Sequence, residues 1–251
     1  MKVVMLNAGL GLRLRPLTIN TPKALVKVAG KPIIAYQLDA LLSQGLTDII
    51  IVVGPFRTKI KRYVRSKYPD VNVIFIENPL YHSTNYIYSL WLTKGVVNDD
   101  VILLHGDVLF EPRLLRRMLT REGNFVLVGR KNVREPTKDF RAVVLKGRVL
   151  RIGIGYSGPL ARPCIPLYRF EREDFNLWLE KIEEHVARGE VGIYAEEALN
   201  ELLEDLIYLR PIYFGGKSLC MEVDTLEDLK RAEELLKMRI QDAWSPDQRV
   251  S

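Results

Sequence analysis

The chain has 251 residues, of which 47% are hydrophobic and 27% charged, with a formal net charge of +6 and a pI near 9.2. That length and composition suit one folded α/β domain and exclude an intrinsically disordered chain. The basic residues are scattered, clustering only at Arg57–Lys67 and Arg113–Arg121 with helical spacing, so a nucleic-acid partner is not expected.

Cys164 and Cys220 stand alone, without CxxC spacing or paired histidines, so neither a disulfide framework nor a zinc site is expected, and a reducing, cytoplasmic setting fits. The chain opens directly on the apolar run KVVML, and its longest apolar runs, such as IIIVV at 49–53, are too short to span a bilayer. Neither a secretory signal nor membrane insertion is expected.

In chain order, β-branched runs predict strands near 2–7, 48–54, 72–77, 101–105 and 124–130. Amphipathic stretches between them predict helices over 34–43, 56–67 and 111–119. This alternation is that of βα units around a mainly parallel sheet. From Phe140 the pattern changes: RAVVLK and RVLRIGI, joined through Lys146-Gly147, predict an antiparallel hairpin. Helices are expected at about 171–188 and 194–204, strand-like segments at 207–213 and 219–223, and a last amphipathic helix from Thr225. The whole reads as one domain over 1–240, with 131–165 and 207–223 as antiparallel additions on the acceptor side and 241–251 as a C-terminal tail.

Strand 2–7 runs into Asn7-Ala8-Gly9-Leu10-Gly11-Leu12-Arg13, a glycine-containing turn at a strand's carboxyl end, where open α/β sheets bind ligands. Glycine lets the backbone approach a phosphate and present its N–H groups. Two phosphate-loop readings fail on spacing. The third glycine of G-x-G-x-x-G falls on Leu14, and in Gly215-Gly216-Lys217-Ser218 the earlier glycine of a Walker loop falls on Pro211.

The loop continues through Arg13, Arg15, Pro16-Leu17-Thr18 and Pro22-Lys23. This segment resembles the signature of the nucleotidyltransferase superfamily that makes NDP-sugars and CDP-alcohols, approximately G-x-G-[ST]-R-x-x-P-[LM]-T-x-x-x-P-K. Gly9, Gly11, Arg13, Pro16, Thr18, Pro22 and Lys23 match; Asn7 replaces a usual Ala, and Leu12 a usual hydroxyl residue, so Leu12 offers a phosphate only its backbone N–H. The resemblance implies an α/β fold of the Rossmann-like three-layer sandwich type, with Arg13 on the triphosphate and Lys23 between the α-phosphate and the incoming phosphate.

Asp107, after the strand VILLH, and Asp224, in MEVD before the last helix, resemble the family's two metal-binding aspartates and would hold Mg²⁺, a hard cation that takes carboxylate and phosphate oxygens. Read on their own, Asp107 could equally be a turn residue, and Asp224 or Thr225 a helix N-cap. The implied reaction is attack of a phosphomonoester oxygen on the α-phosphorus of a nucleoside triphosphate, releasing pyrophosphate. That nucleophile is already anionic, so no general base is required. His82, His105 and His185 accordingly read as isolated and structural.

The stretch Glu77-Asn78-Pro79-Leu80-Tyr81-His82-Ser83-Thr84-Asn85-Tyr86-Ile87-Tyr88-Ser89-Leu90-Trp91 resembles ENPxYxxTNNxxSLW of bacterial choline-phosphate cytidylyltransferases, as do Tyr194–Asn200 and Glu222–Leu229. CTP is therefore the expected nucleotide, with Glu77 or Asn78 accepting from cytosine's amine and Thr84 and Asn85 nearby; the alternative is that Glu77 and Asn78 only cap a turn before Pro79. For the acceptor, Tyr194 and Glu196 are candidates, and Tyr86, Tyr156, Tyr168, Trp178 and Tyr194 could cage a choline headgroup. Arg141, if it faces the cleft, would oppose a cation and favour a neutral polyol phosphate such as inositol 1-phosphate. The rival readings are a sugar-1-phosphate nucleotidyltransferase and a non-catalytic nucleotide-sensing module.

Overall fold

In a computed structural model, residues 1–133 and 140–244 are described, with side chains described through 238. The elements in chain order are β1 (Lys2–Asn7), β2 (Lys27–Val28), β3 (Lys31–Pro32), α1 (Ile33–Leu42), β4 (Asp48–Val53), α2 (Arg57–Lys67), β5 (Asn72–Glu77) and α3 (Tyr86–Trp91). Then follow β6 (Val101–His105), β7 (Val108–Phe110), α4 (Pro112–Leu119), β8 (Asn124–Gly129), β9 (Arg141–Leu145), β10 (Arg148–Gly153) and β11 (Ala161–Phe170). The chain continues through α5 (Arg172–Ala187), α6 (Ala195–Leu202), β12 (Leu209–Phe214), β13 (Cys220–Glu222) and α7 (Leu226–Trp244).

The first strand shows why the sheet lies between two helical layers. Successive side chains of a strand point to opposite faces, and every residue from Val3 to Leu6 is apolar. Val3 and Met5 join Ile49, Ile51 and Val53 of β4 in a core closed by Ile34, Leu38 and Leu41 of α1, Ile60 and Val64 of α2, and Leu115 of α4. Val4 and Leu6 join Ile50 and Val52 in a second core, closed by Ile87 and Leu90 of α3, Phe175 and Trp178 of α5, and Leu199 of α6. The result is an α/β three-layer sandwich. Among the described residues no helix is long and apolar enough to cross a membrane.

The main sheet runs β10-β9-β11-β6-β1-β4-β5, with β8 joined to β11 and β12 to β8. β1, β4, β5 and β6 are parallel, whereas β11 is antiparallel to both β6 and β8. β1 therefore has its chain successor β4 on one side and β6 on the other. The strand order turns back at β1, so the carboxyl ends of β1 and β6 lie side by side at the position where open α/β sheets bind ligands.

Three expectations need correction. β11 carries no strand signal in the sequence because Pro163 and Pro166 interrupt it. Here Pro163 lies opposite Arg141, and the ladder to β8 shifts register between Ile165 and Tyr168, so a bulge accommodates Pro166, which has no N–H to donate. The 207–223 segment is not wholly antiparallel: β12 runs parallel to β8, from Leu209 beside Asn124 to Phe214 beside Gly129, and only β13 is antiparallel, to β7. Residues 241–244 belong to α7 rather than to a tail, and 245–251 lie outside the described residues. The expected β9–β10 hairpin is present, with Lys146 at φ 48° and Gly147 at φ 78°, the left-handed pair that a two-residue turn requires.

A candidate active site at the sheet's switch point

The loop after β1 folds back on itself. Gly11 sits at φ 63°, its carbonyl accepts from Thr18 Oγ1 at 2.7 Å, and a Cβ there would lie 3.1 Å from Lys23 Cβ and 3.2 Å from Thr18 Cγ2. Close approach and a left-handed backbone together explain this glycine. Single 3-10 turns at Leu12–Leu14 and Lys23–Leu25 punctuate the loop. Leu14 is fully buried in a third apolar cluster with Val26, Val28, Ile33, Leu109, Met221 and Val223. That cluster ties the loop to β7 and β13, the strands beside the two distant carboxylates.

Asp107 occupies the turn between β6 and β7, and Asp224 follows β13. The β7–β13 pairing sets Glu222 opposite Val108, and Val223 N–H donates to the Asp107 carbonyl at 2.9 Å, which brings both aspartates to one place. Lys23 Nζ donates to Asp107 Oδ2 at 2.5 Å and also to Asp224 Oδ1, while Arg13 pairs with the other Asp224 oxygen. The alternative of Asp224 as an N-cap is not realised: Thr225 and Asp228 cap α7 reciprocally, Thr225 N–H to Asp228 Oδ2 at 2.8 Å and Asp228 N–H to Thr225 Oγ1 at 3.2 Å. Asp224's carboxylate is thereby left for the cations.

Burial alone would lower the Lys23 pKa, but Asp107 and then Asp224 outweigh it and hold the ammonium above its ordinary value. For Asp107 burial pushes the carboxyl up, and the charge of Lys23, seconded by His105, overrides this to hold it below the usual carboxylate range. Asp107 Oδ1 is buried with no partner among the described residues. Two carboxylates that converge on Lys23, one of them with an orphaned buried oxygen and the other also paired with Arg13, form a donor set that fits a hard divalent ion such as Mg²⁺.

Around these groups lies a cleft of about 460 Å³. Of the residues expected from sequence, Asn7, Ala8, Gly9, Gly11, Leu12, Arg13, Lys23, Asn78, Thr84, Asn85, Asp107 and Asp224 line it. Asn78 is 3% exposed and spends its amide on the fold, accepting from Leu80 N–H at 2.8 Å and donating to Ser89 Oγ at 2.9 Å. Asn85 caps α3 by accepting from Tyr86 N–H at 2.8 Å. Asn7 differs: it is 8% exposed, and neither its Oδ1 nor its Nδ2 has a partner among the described residues.

Four expected residues lie elsewhere. Glu77 is turned onto α2, where it pairs with Lys61 at 2.6 Å and Arg57 at 3.1 Å; strand alternation sends it away from its cleft-lining neighbour Asn78. Arg141 begins β9 and lines a separate cavity with Lys131 and Arg162, so it does not face the cleft. Tyr194 and Glu196 stand behind the cleft wall: fully buried Glu196 accepts from Tyr168 at 2.7 Å and from Tyr86, whose hydroxyl pKa is raised by burial and then by that carboxylate. Of the cage candidates only Tyr86 lines the cleft; Trp178 and Tyr168 are core residues, and Tyr156 packs over Gly153.

The sequence reading also missed residues. Tyr81 and Ser89 line the cleft from the stretch that contains Asn78. His105 is not isolated: it lines the cleft, packs its ring edge-on against Tyr86 at 4.4 Å, and is held below its ordinary pKa by burial. Its position two residues before Asp107 on a strand end was the available signal. His185 does play a structural part, bridging Glu190 and Glu201.

Residues 2–138 match the nucleotidyl transferase family. The choline-phosphate cytidylyltransferase of Streptococcus pneumoniae is 31% identical over 94% of this chain and 99% of its own length. The solved structure of the CTP:phosphocholine cytidylyltransferase from that organism superposes with a TM-score of 0.80 at 27% identity, covering 94% of this chain and 98% of the other. The inositol-1-phosphate CTP transferase from T. maritima shares the fold, with a TM-score of 0.77 at 22% identity over 95% of this chain and 96% of that one.

Proposed function

The chain belongs to the nucleotidyl transferase family and is a nucleotidyltransferase; from that premise we propose that it transfers CMP from CTP to a small phosphomonoester carrying a cationic headgroup, of the phosphocholine type, with Mg²⁺ as cofactor. The observation that carries the reading is the Lys23 ammonium between Asp107 and Asp224, in a cleft that the glycine loop also lines.

Backbone N–H groups of Gly9 to Leu12 present donors to the triphosphate, and Arg13 adds charge where pyrophosphate departs. Lys23 moves from its carboxylate partners to the α-phosphate and the incoming phosphate, holding two anions together that would otherwise repel each other. Asp107 and Asp224 would hold the Mg²⁺, which when bound supplies neutralisation of charge on the α-phosphate. The acceptor phosphate is its own nucleophile, so positioning and charge carry the catalysis.

Support for cytosine comes from the cytidylyltransferase relatives, since Glu77 is occupied on α2. A cationic acceptor is supported by Tyr86, which presents its ring to the cleft while its hydroxyl rests on the buried Glu196, and by the absence of Arg141 from the cleft lining. The test is pyrophosphate release with Mg²⁺, each of the four NTPs, and a panel of phosphocholine, phosphoethanolamine, inositol 1-phosphate and glucose 1-phosphate. The reading expects the highest kcat/KM for CTP with phosphocholine. Preference for UTP or dTTP with glucose 1-phosphate would replace it with the sugar-nucleotide reading.

A further inference from the structure

Asp107 presents its two carboxylate oxygens to different surroundings. Oδ2 is taken by Lys23, whereas Oδ1 is buried and unpartnered among the described residues. Two residues earlier, at the end of β6, His105 is 9% exposed, and its Nε2 is also buried without a partner. Its ring is fixed by the edge-on contact with Tyr86. Across the β7–β13 ladder stands Glu222, two residues before Asp224 on the same strand end. A ring nitrogen of His105, a carboxylate oxygen of Asp107 and one of Glu222 all lie within 4.8 Å of one another.

Buried polar atoms in native proteins almost always have partners, so two orphans in one three-residue cluster point to a group that completes them. An anion is excluded by the two carboxylates. A cation is required, and a nitrogen ligand beside two carboxylates selects its class: Mg²⁺ prefers oxygen alone, whereas Mn²⁺, Co²⁺ and Zn²⁺ accept imidazole.

We propose that His105, Asp107 and Glu222 form a second divalent-cation site, suited to a transition-metal ion such as Mn²⁺ and sharing Asp107 with the site beside Lys23 and Asp224. The inference rests on the reading of Asp107 as a metal ligand. An ion there would lie on the Tyr86 side of Asp107, towards the acceptor part of the cleft, and shared carboxylates are a common way to hold two ions a few ångströms apart.

The test is made on the metal-free full-length protein with Mn²⁺ and no nucleotide, reading nitrogen hyperfine coupling by pulsed EPR and affinity by calorimetry. Coupling to one histidine nitrogen is expected in the wild type and in Asp224→Asn, and is lost in His105→Gln of unchanged circular dichroism. Glu222→Gln keeps the nitrogen coupling but weakens Mn²⁺ binding roughly 10–100-fold, the loss that even outer-shell partners of a metal cause. Mn²⁺ bound to the wild type without nitrogen coupling, coupling retained in His105→Gln, or no Mn²⁺ binding at all overturns the second site. The proposed cytidylyl transfer is judged separately by turnover with Mg²⁺: its failure leaves a positive coupling result standing, and its success does not rescue a negative one.

Discussion

The Lys23 ammonium lies 2.5 Å from Asp107 Oδ2 while also donating to Asp224, although the partners are 84 and 201 residues away in the chain. In the protein without substrate, this lysine bridges two largely buried carboxylates, with Arg13 pairing the other oxygen of Asp224, and the same lysine is the group expected on the α-phosphate. Lys23→Ala should therefore lower turnover by ~10²–10³. It should also destabilise the metal-free protein by roughly 3–5 kcal/mol, because the largely buried Asp107 loses its counter-charge while still facing Asp224, which keeps Arg13. Pyrophosphate release measures the first effect and urea melts the second. Mg²⁺ should restore more stability to the variant than it adds to the wild type, and near-normal turnover in a folded Lys23→Ala protein would sink the role.

The same cluster sets a pH dependence for the metal-free protein. The folded pKa of Asp107 is depressed, so its stabilising contribution is present above the unfolded carboxylate pKa of about 3.9 and is lost as pH falls through the folded value. Lys23's folded pKa is raised, so its contribution is present below the unfolded value of about 10.4 and is lost as pH rises through the folded one. The stability difference between wild type and Lys23→Met should be flat across neutral pH and shrink at both ends. Melts from pH 3 to 11 check this; a steep change in the difference near pH 7 would contradict it.

Of two residues that the sequence suggests for nucleotide contact, Asn7 lines the cleft and Glu77 does not. Glu77 is held on α2 by Lys61 and Arg57, so Glu77→Gln should leave the KM for CTP and the preference among NTPs unchanged. Asn7 is buried against the cleft, and a side chain at Gly106 would collide with its Oδ1. An unpaired buried amide costs stability until a ligand pairs it. Asn7→Ala should therefore stabilise the free protein by about 1 kcal/mol and weaken CTP binding roughly threefold to tenfold, about one hydrogen bond. Unchanged CTP affinity by calorimetry would make Asn7 a packing residue only.

Tyr86 connects the cleft to Glu196, which lies outside it. Tyr86→Phe and Glu196→Gln should both raise the KM for a cationic acceptor, by roughly tenfold if the contact approaches the strength of one charge-assisted hydrogen bond, with the KM for CTP nearly unchanged. A comparable rise in both KM values would show that the two residues support the cleft wall rather than the acceptor.

Gly11 tests the loop itself. At φ 63°, with Thr18 and Lys23 against the position a Cβ would take, Gly11→Ala should displace Lys23 and reduce turnover by at least about tenfold, while an alanine at the open, left-handed Gly147 turn should cost only stability, about 1 kcal/mol. Steady-state kinetics and thermal melts of the two variants separate these outcomes.

By itself the sequence determined what is local and periodic. β1, β4, β6 and β8 were legible because unbroken apolar runs are what a strand buried on both faces requires, and β5, a half-exposed edge strand, because of its β-branched run. The loop from Gly9 to Lys23 was legible through its resemblance to the family signature, and Asp107 and Asp224 through the same resemblance, since read alone each fits a turn or a helix cap as well. Tertiary structure decided everything that depends on which face of an element meets which neighbour. β11 stayed hidden because its prolines speak against a strand until a bulge and a partner ladder absorb them. Glu77 and Asn78 are adjacent in sequence, yet pleating sends one to α2 and the other to the cleft. Asp107, Glu222 and Asp224 meet only through the β7–β13 ladder, and the buried Leu14 cluster brings the loop onto them. Contacts between residues 84 or 201 positions apart are fixed by packing, and no local pattern in the chain records them.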